Sequence, residues 1–493
     1  MIIASIIVAI YAFALLMVFT YALSQFNLLI NYLSFKRKKE ESVDVFDPEN
    51  APYVTIQLPI YNEKYVVERL IDHVTKIEYP SDKLEIQVLD DSTDETAEIL
   101  SKKVKECQQK GVDIKHITRK IRTGFKAGAL KEGLVIAKGE FIAIFDADFL
   151  PDEDWLIKTV PHFNSPNTGV IQTRWGHENR DYSLLTKVQA FALDAHFTIE
   201  QVGRNCKNHF INFNGTAGIW RKECILDAGN WEQDTLTEDL DLSYRAQLKG
   251  WKFKFLEHVV TPAELPIVVS AARSQQFRWN KGGAENFKKN FSKVLFNKNI
   301  PIGSKVHAFF HLLNSTMFVN VFIIAILSVP LILIKSKYEQ FDFVYYMLGF
   351  FFLSTIFFFI YYWNAYKQIY GNGWKQFFKF IPAFFTFFTV AIGFSWNNTK
   401  AVMEAYIGKT SDFIRTPKFD VKNNVNGWRR NKYLVSNLTL DSLVEGVLFL
   451  YFSFGLYLVF TLNPSQIDWG MSLFMTMLFL GFGFVFIKSI LKR

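Results

Sequence analysis

Three groups of acidic residues stand where a predicted strand ends or a predicted helix begins. Asp90-Asp91 follow the strand pattern at 84–89, Asp146-Ala147-Asp148 follow the run at 141–145, and Thr237-Glu238-Asp239 open the amphipathic stretch 240–248. In open α/β sheets, ligands gather outside the carboxyl ends of the strands, so these positions are where a site is expected. Each group alone is ordinary: an acidic residue after a strand often caps a helix, and Thr237 followed by acids has the look of an N-terminal cap. In this order and spacing they suit transfer from a sugar nucleotide. The leaving diphosphate gains charge as the glycosidic bond breaks, and a hard divalent cation such as Mg2+ or Mn2+, held by one or two carboxylates, neutralises it. Asp146 and Asp148 fit that role, Asp90 and Asp91 are placed to hydrogen-bond a base or ribose, and Asp239 is the candidate general base.

Basic and aromatic residues complete the set. Lys126, in Phe125-Lys126-Ala127-Gly128, lies between the first two acidic groups and can meet a diphosphate as a point charge. Gln275-Gln276-Phe277-Arg278-Trp279 lies on a polar helical stretch with Lys281, Lys288 and Lys289. An arginine binds phosphate oxygens in pairs and an indole stacks on a sugar face, so this string can hold the leaving group and the acceptor together.

The elements that must position these residues follow from the patterning. Short β-rich runs at 54–58, 84–89 and 141–145 alternate with helical periodicity, which predicts a mostly parallel α/β sheet within 51–300. The rest is apolar. Half of the 493 residues are hydrophobic, with 51 Phe, and the mean hydropathy is only +0.09 because charged and apolar segments are separated along the chain. Disorder and low-complexity repeats are excluded. Cys107, Cys206 and Cys224 are too scattered for a disulfide framework or a structural zinc site. The net charge of +8 collects beside the apolar spans, which points to anionic lipid headgroups rather than nucleic acid.

An uncleaved anchor is expected over 1–35, running into Lys36-Arg37-Lys38-Lys39, and further apolar stretches occur at 306–334, 343–363, 377–396, 443–462 and 469–487. Each is near the roughly 20 residues a helix needs to cross a bilayer. If all five later stretches crossed, the basic segment 397–440 and the tail from Lys488 would lie outside, against the positive-inside tendency. The stretch from 377, with Pro382, Asn397 and Asn398, is therefore expected to lie in the interface or re-enter, within a segment extending to 440. The α/β domain, the basic loop and the C-terminus then share the cytosolic side of a multi-pass protein of the inner, or plasma, membrane. The alternative is a sixth ordinary span with an exterior basic loop.

The motif set resembles that of the processive, membrane-integrated glycosyltransferases of family 2, the cellulose synthase superfamily. Their D, D-x-D, T/E-D and Q-x-x-R-W hallmarks correspond to Asp90-Asp91, Asp146-Ala147-Asp148, Thr237-Glu238-Asp239 and Gln275-x-x-Arg278-Trp279. Finer strings, Gln172-Thr173-Arg174-Trp175, Phe213-Asn214-Gly215-Thr216-Ala217-Gly218 and Leu248-Lys249-Gly250-Trp251-Lys252-Phe253, are similar to the cellulose synthase-like glucomannan synthases and their bacterial relatives. The resemblance implies a GT-A (Rossmann-like) cytosolic domain inserted into an α-helical transmembrane bundle. It also implies inversion at the anomeric carbon and a metal-bound nucleotide sugar. Glu238 and Asp239 would be catalytic, Pro59, Tyr61 and Glu63 would help hold the nucleotide, and Gln275 and Trp279 would meet the acceptor. Phe413-Ile414-Arg415-Thr416-Pro417-Lys418 resembles the family's F-x-V-T-x-K gating loop, with Arg415 where the family often has Val. Only six residues follow Ile487, so no PilZ domain is expected there.

The reading favours a hexosyltransferase that elongates a polysaccharide from UDP-glucose or GDP-mannose and exports it through its own spans. Transfer of one sugar to ceramide or another lipid is the first alternative, and a non-catalytic transporter or scaffold the second. Sugar, base and linkage depend on hydroxyl contacts that spacing does not encode.

Overall fold

In a computed structural model of the chain, residues 1–37, 45–411, 415–421, 439–462 and 468–491 are described. The sheet has seven strands: β1 (Val54–Ile60), β2 (Leu84–Asp90), β3 (Ile114–Thr118), β4 (Phe141–Ile144), β5 (Thr168–His177), β6 (Gly218–Arg221) and β7 (Lys252–Ala263). Their spatial order is β3-β2-β1-β4-β6-β5-β7. The expected parallel register is met by β1 to β4, while β6 runs antiparallel between β4 and β5. In chain order the helices begin with α1 (Ile2–Lys36), α2 (Val67–Val74), α3 (Thr96–Gln109), α4 (Phe125–Ile136), α5 (Trp155–Thr159) and α6 (Leu184–Ala195). A π-helical turn, His196–Glu200, leads into α7 (Gln201–Asn205), followed by α8 (Lys222–Asp227), α9 (Glu238–Leu248) and α10 (Val269–Phe296).

Strand alternation sets the two faces of the sheet. Val54, Ile56, Leu58 and Ile60 of β1 pack into one apolar layer with Ile86 and Val88. The opposite face of β1 carries a buried polar ladder: Thr55 Oγ1 donates to Glu85 Oε2 at 2.8 Å, and Gln57 Nε2 donates to Gln87 Oε1 at 3.0 Å. Both donors of these pairs thus find a buried acceptor on the neighbouring strand. Gly133 of α4 lets that helix approach the ladder, since a Cβ there would stand 2.6 Å from Gln57 Nε2.

The remaining helices are α11 (Ile302–Leu313), α12 (Met317–Lys337), α13 (Asp342–Gly349), α14 (Leu353–Tyr370), α15 (Trp374–Gly393), α16 (Ser395–Tyr406), α17 (Leu440–Thr461) and α18 (Trp469–Ile490). Among the described residues, six helical stretches are long and apolar enough to cross a bilayer, so the chain is a multi-pass membrane protein. They are α1, α11 with α12, α13 with α14, α15, α17 and α18. Polar contacts mark which ends lie beside the α/β domain. Lys36 at the end of α1 meets Glu257 at 2.9 Å, Tyr370 at the end of α14 meets Arg180 at 3.1 Å, and Ser489 near the end of α18 meets Arg273 at 2.7 Å. At the far end, Lys335 of α12 reaches Asp468 before α18 at 2.7 Å.

Helix α15 runs alongside α6 in the opposite direction. Phe380 and Phe384 cluster with Phe191 near one end of α6, while Val390 and Phe394 cluster with Leu185 and Val188 near the other. It also meets α18 backbone to backbone: a Cβ on Gly393 would collide with the Gly481 carbonyl, and one on Gly481 with that of Thr389. Gly481→Ala is therefore expected to destabilise the protein by about 1–3 kcal/mol, the usual range for overpacking. Thermal unfolding in detergent checks this, with Gly349→Ala as the neutral control, because nothing stands within 4 Å of a Cβ there.

Candidate active site

A cleft opens at the carboxyl ends of β1, β2 and β4. It gathers residues far apart in sequence, with Pro59, Tyr61, Asp91, Lys126, Asp146 and Asp148 on the sheet side. Glu238 and Asp239 from α9, and Gln275, Arg278 and Trp279 from α10, form another wall. Glu63, Arg415, Thr416 and Lys418 close the cleft on a third side.

At the β1–β2 end, Tyr61 lies flat under Arg122, whose guanidinium carbon is 3.4 Å from the ring centroid. Asp91 is gripped by Arg119, whose Nε donates to Oδ1 at 2.8 Å and whose Nη2 bonds Oδ2. Asp90 does not line the cleft. It is the last residue of β2 and points inward, taking the Ser92 N–H at 2.8 Å and lying 2.9 Å from His116 Nε2.

The two acids after β4 each hold a lysine. Lys126 Nζ lies 2.5 Å from Asp146 Oδ1 and donates to the Gly215 carbonyl at 2.8 Å, while Lys418 Nζ lies 2.5 Å from Asp148 Oδ2. The pair offers hard oxygen donors, and both acids already bind positive charge, so the donor chemistry fits Mg2+ or Mn2+. Glu232, Asp234 and Asp241 also converge, but Lys289 Nζ sits among them at 2.6, 2.7 and 3.0 Å and already neutralises much of that charge.

Asp239 is held apart from those two acids. Thr237 precedes α9 but its side chain makes no cap; its Oγ1 accepts from Asn286 Nδ2 of α10 at 3.0 Å. A second tie joins Asn290 Nδ2 to Asp241 Oδ1 at 3.0 Å, so two side-chain hydrogen bonds hold α9 against α10. Asp239 packs over Gly215, which takes φ +81°; a Cβ there would stand 2.9 Å from Asp239 Oδ2 and 3.6 Å from Lys126 Nζ. Burial raises the Asp239 carboxyl well above its usual range and Glu238 adds to the rise, while Lys126 and Arg278 oppose it.

The segment 415–421 is docked into the cleft. Arg415 Nη1 pairs with Glu63 Oε2 at 2.6 Å, and Glu264 accepts the backbone N–H groups of Phe419 at 3.0 Å and Asp420 at 2.8 Å. Arg69 ties Asp420 to the domain at 2.7 Å. Phe413 lies outside the described residues. Arg119, Arg122, His177 and Glu264 were not singled out from sequence. Of these, Arg122 had the clearest signal, standing three residues before Phe125, whereas Glu264 joins the site only because β7 ends beside the docked segment.

The fold is of the GT-A type. Residues 51–282 match a family model described as glycosyltransferase like family 2. Over 284 residues the chain is 42% identical to glucomannan 4-beta-mannosyltransferase 1 of Cyamopsis tetragonoloba, covering 56% of this chain and 52% of that protein. It is 43% identical to glucomannan 4-beta-mannosyltransferase 9 of Arabidopsis thaliana over 285 residues, 56% of this chain and 53% of that one. The chain thus spans about half the length of these relatives. The solved mannosyltransferase PcManGT of Pyrobaculum calidifontis, in complex with GDP-Man and Mn2+, superposes with a TM-score of 0.55 at 20% identity, covering 82% of this chain and all of that one. Over residues 51–282 the α/β domain is thus similar to glycosyltransferase family 2.

Burial pushes Glu63 and Glu264 up to about 7, although Arg415 and Lys418 oppose the rise at Glu63 and Lys418 opposes it at Glu264. Both then keep a proton in the folded chain at pH values where the unfolded chain has lost it. Their stabilising contribution is full below the unfolded value of 4.5 and is lost as pH rises through about 7. Melting of the purified protein is expected to occur at lower temperature at pH 7.5 than at pH 5, and Glu264→Gln to flatten that slope. An unchanged slope in the variant contradicts the assignment.

Proposed function

We propose that the chain is an inverting β-mannosyltransferase, most simply one that extends a β-1,4-linked polysaccharide from GDP-mannose and passes it across the membrane. The single observation that carries the reading is Asp239, a carboxyl raised by burial, in one cleft with the paired acids Asp146 and Asp148 and with Arg278 and Trp279. The activity and donor are taken from what the relatives and the solved neighbour are described as doing and binding.

In this reading Tyr61, Arg122 and Asp91 hold the nucleotide, and Lys126 and Arg278 face the diphosphate. Asp146 and Asp148 hold a divalent cation, which supplies charge neutralisation for the departing diphosphate. Asp239 takes the proton from the attacking acceptor hydroxyl, Glu238 sustains its basicity through like charge, and Trp279, beside Gln275, stacks on the acceptor ring. Arg415, Thr416 and Lys418 form the part of the gating segment that closes the cleft; Lys418 leaves Asp148 when cation and nucleotide enter.

For topology, we propose five crossings with α15 in the interface. Its course along α6, both ends beside the α/β domain, supports this over a sixth span. The domain, Lys375, Lys379, Lys400 and Lys488 then all face the cytosol, in agreement with the positive-inside tendency.

Asp239→Asn is expected to cut turnover by about 10²–10⁴-fold while leaving nucleotide binding nearly intact. Asp148→Asn is expected instead to weaken Mn2+-dependent binding of GDP. Product analysis of purified protein with a panel of labelled nucleotide sugars decides the rest. A β-1,4-mannan supports the reading, a single glycolipid replaces it with one-step transfer, and no transfer from any donor sinks it.

A further inference from the structure

One residue on the cleft wall, Asn214, has its side chain gripped from behind. Its Oδ1 accepts from Gln201 Nε2 at 2.7 Å, and its Nδ2 lies 3.1 Å from His196 Nε2. On the other side of the ring, His196 Nδ1 is 2.6 Å from Glu200 Oε2. The second Glu200 oxygen accepts from Arg204 Nη2 and from Gln25 Nε2 of α1, each at 3.0 Å. Glu200, Gln201, Arg204 and Gln25 are all buried. The turn that carries the histidine and the glutamate is π-helical, a distortion frequent at functional sites.

The chemistry of this relay has one direction. Burial alone would raise the Glu200 carboxyl, but Arg204 and His196 hold it well below the usual range, so it stays an acceptor. A carboxylate at Nδ1 places the neutral ring's proton there and leaves Nε2 to accept from Asn214. Asn214 therefore keeps one N–H and one oxygen lone pair for the cleft, next to Gly215 and the Asp239 carboxylate that packs over it. One donor beside one acceptor matches a sugar hydroxyl, which both gives and receives a hydrogen bond.

We infer that His196, oriented by Glu200, is a positioning residue that fixes the Asn214 amide against a hydroxyl of the acceptor sugar beside Asp239. The inference rests on the transferase reading above and extends it, since through Gln25 the membrane anchor α1 takes part in shaping the acceptor end of the site.

The test uses the full chain in nanodiscs with GDP-mannose, Mn2+ and β-1,4-mannotetraose as the probe acceptor. His196→Leu is expected to raise the acceptor KM about tenfold, the scale of one hydrogen bond, with kcat and GDP affinity within about threefold of wild type. His196→Gln, whose side-chain carbonyl still accepts from Asn214, recovers most of the loss. The His196→Leu/Asn214→Ala double variant is expected to be no worse than Asn214→Ala alone, as for two residues acting through one contact. The inference is overturned if His196→Leu lowers thermal stability and GDP affinity with the acceptor KM unmoved, or if the two single effects multiply. A wild type without mannosyl transfer brings down the functional reading itself, whereas an active wild type with either of those patterns brings down only the role of His196.

Discussion

Seven carboxyl groups, those of Glu63, Asp91, Asp146, Asp148, Glu238, Asp239 and Glu264, line one cleft, and the rest of the site is arranged around their mutual repulsion. Like charges at this density do not all ionise unless cations are interleaved among them. Among the described residues the chain supplies five: Arg122, Lys126, Arg278, Arg415 and Lys418. Where a cation is close, as at Asp146 and Asp148, the acid has a lysine ammonium at 2.5 Å. Where burial outweighs the neighbouring cations, as at Asp239, the proton is held more tightly. On the reading proposed above, one electrostatic arrangement serves both the acids assigned to the cation and the one assigned as base, with no difference in side-chain chemistry between them.

The same balance explains why the segment 415–421 is drawn into the cleft. Two of its cations meet two of the site's acids, and Glu264 receives two of its backbone N–H groups. Arg415, the departure from the family pattern noted in the sequence, has its physical reason in Glu63, which would otherwise be buried with one fewer counter-charge.

Much of this was legible in the sequence because strands end where ligands bind. The acids after β4, the Glu238-Asp239 pair and the Gln275–Trp279 string are local in sequence and keep their positions in the cleft. Asp90 and Asp91 could not be told apart without the pleat. Strand β2 continues through Asp90 and turns it inward to Ser92 and His116, and only Asp91 emerges. Thr237 reads as a helix cap, yet its hydroxyl serves Asn286, forty-nine positions away, because α10 crosses the start of α9. Strand β6 is reversed for a reason no period reveals: the loop that delivers Asn214 and Gly215 must arrive from the opposite direction. Arg119 and Glu264 likewise act through partners distant in the chain.

Helix α10 carries a further consequence. Arg273 binds both oxygens of Glu445 in α17, at 2.8 and 2.7 Å, and Ser489 in α18 at 2.7 Å. Arg278 and Trp279 follow within two turns of the same helix. The matched family region stops at residue 282, midway along that helix. A fragment cut at that border would carry the sheet and its acids intact but leave the Trp279 indole on a frayed stump, unmoored from the apolar helices that hold it. In this molecule the apolar helices help hold the wall of the cleft, and the α/β domain and the membrane part have no clean seam between them.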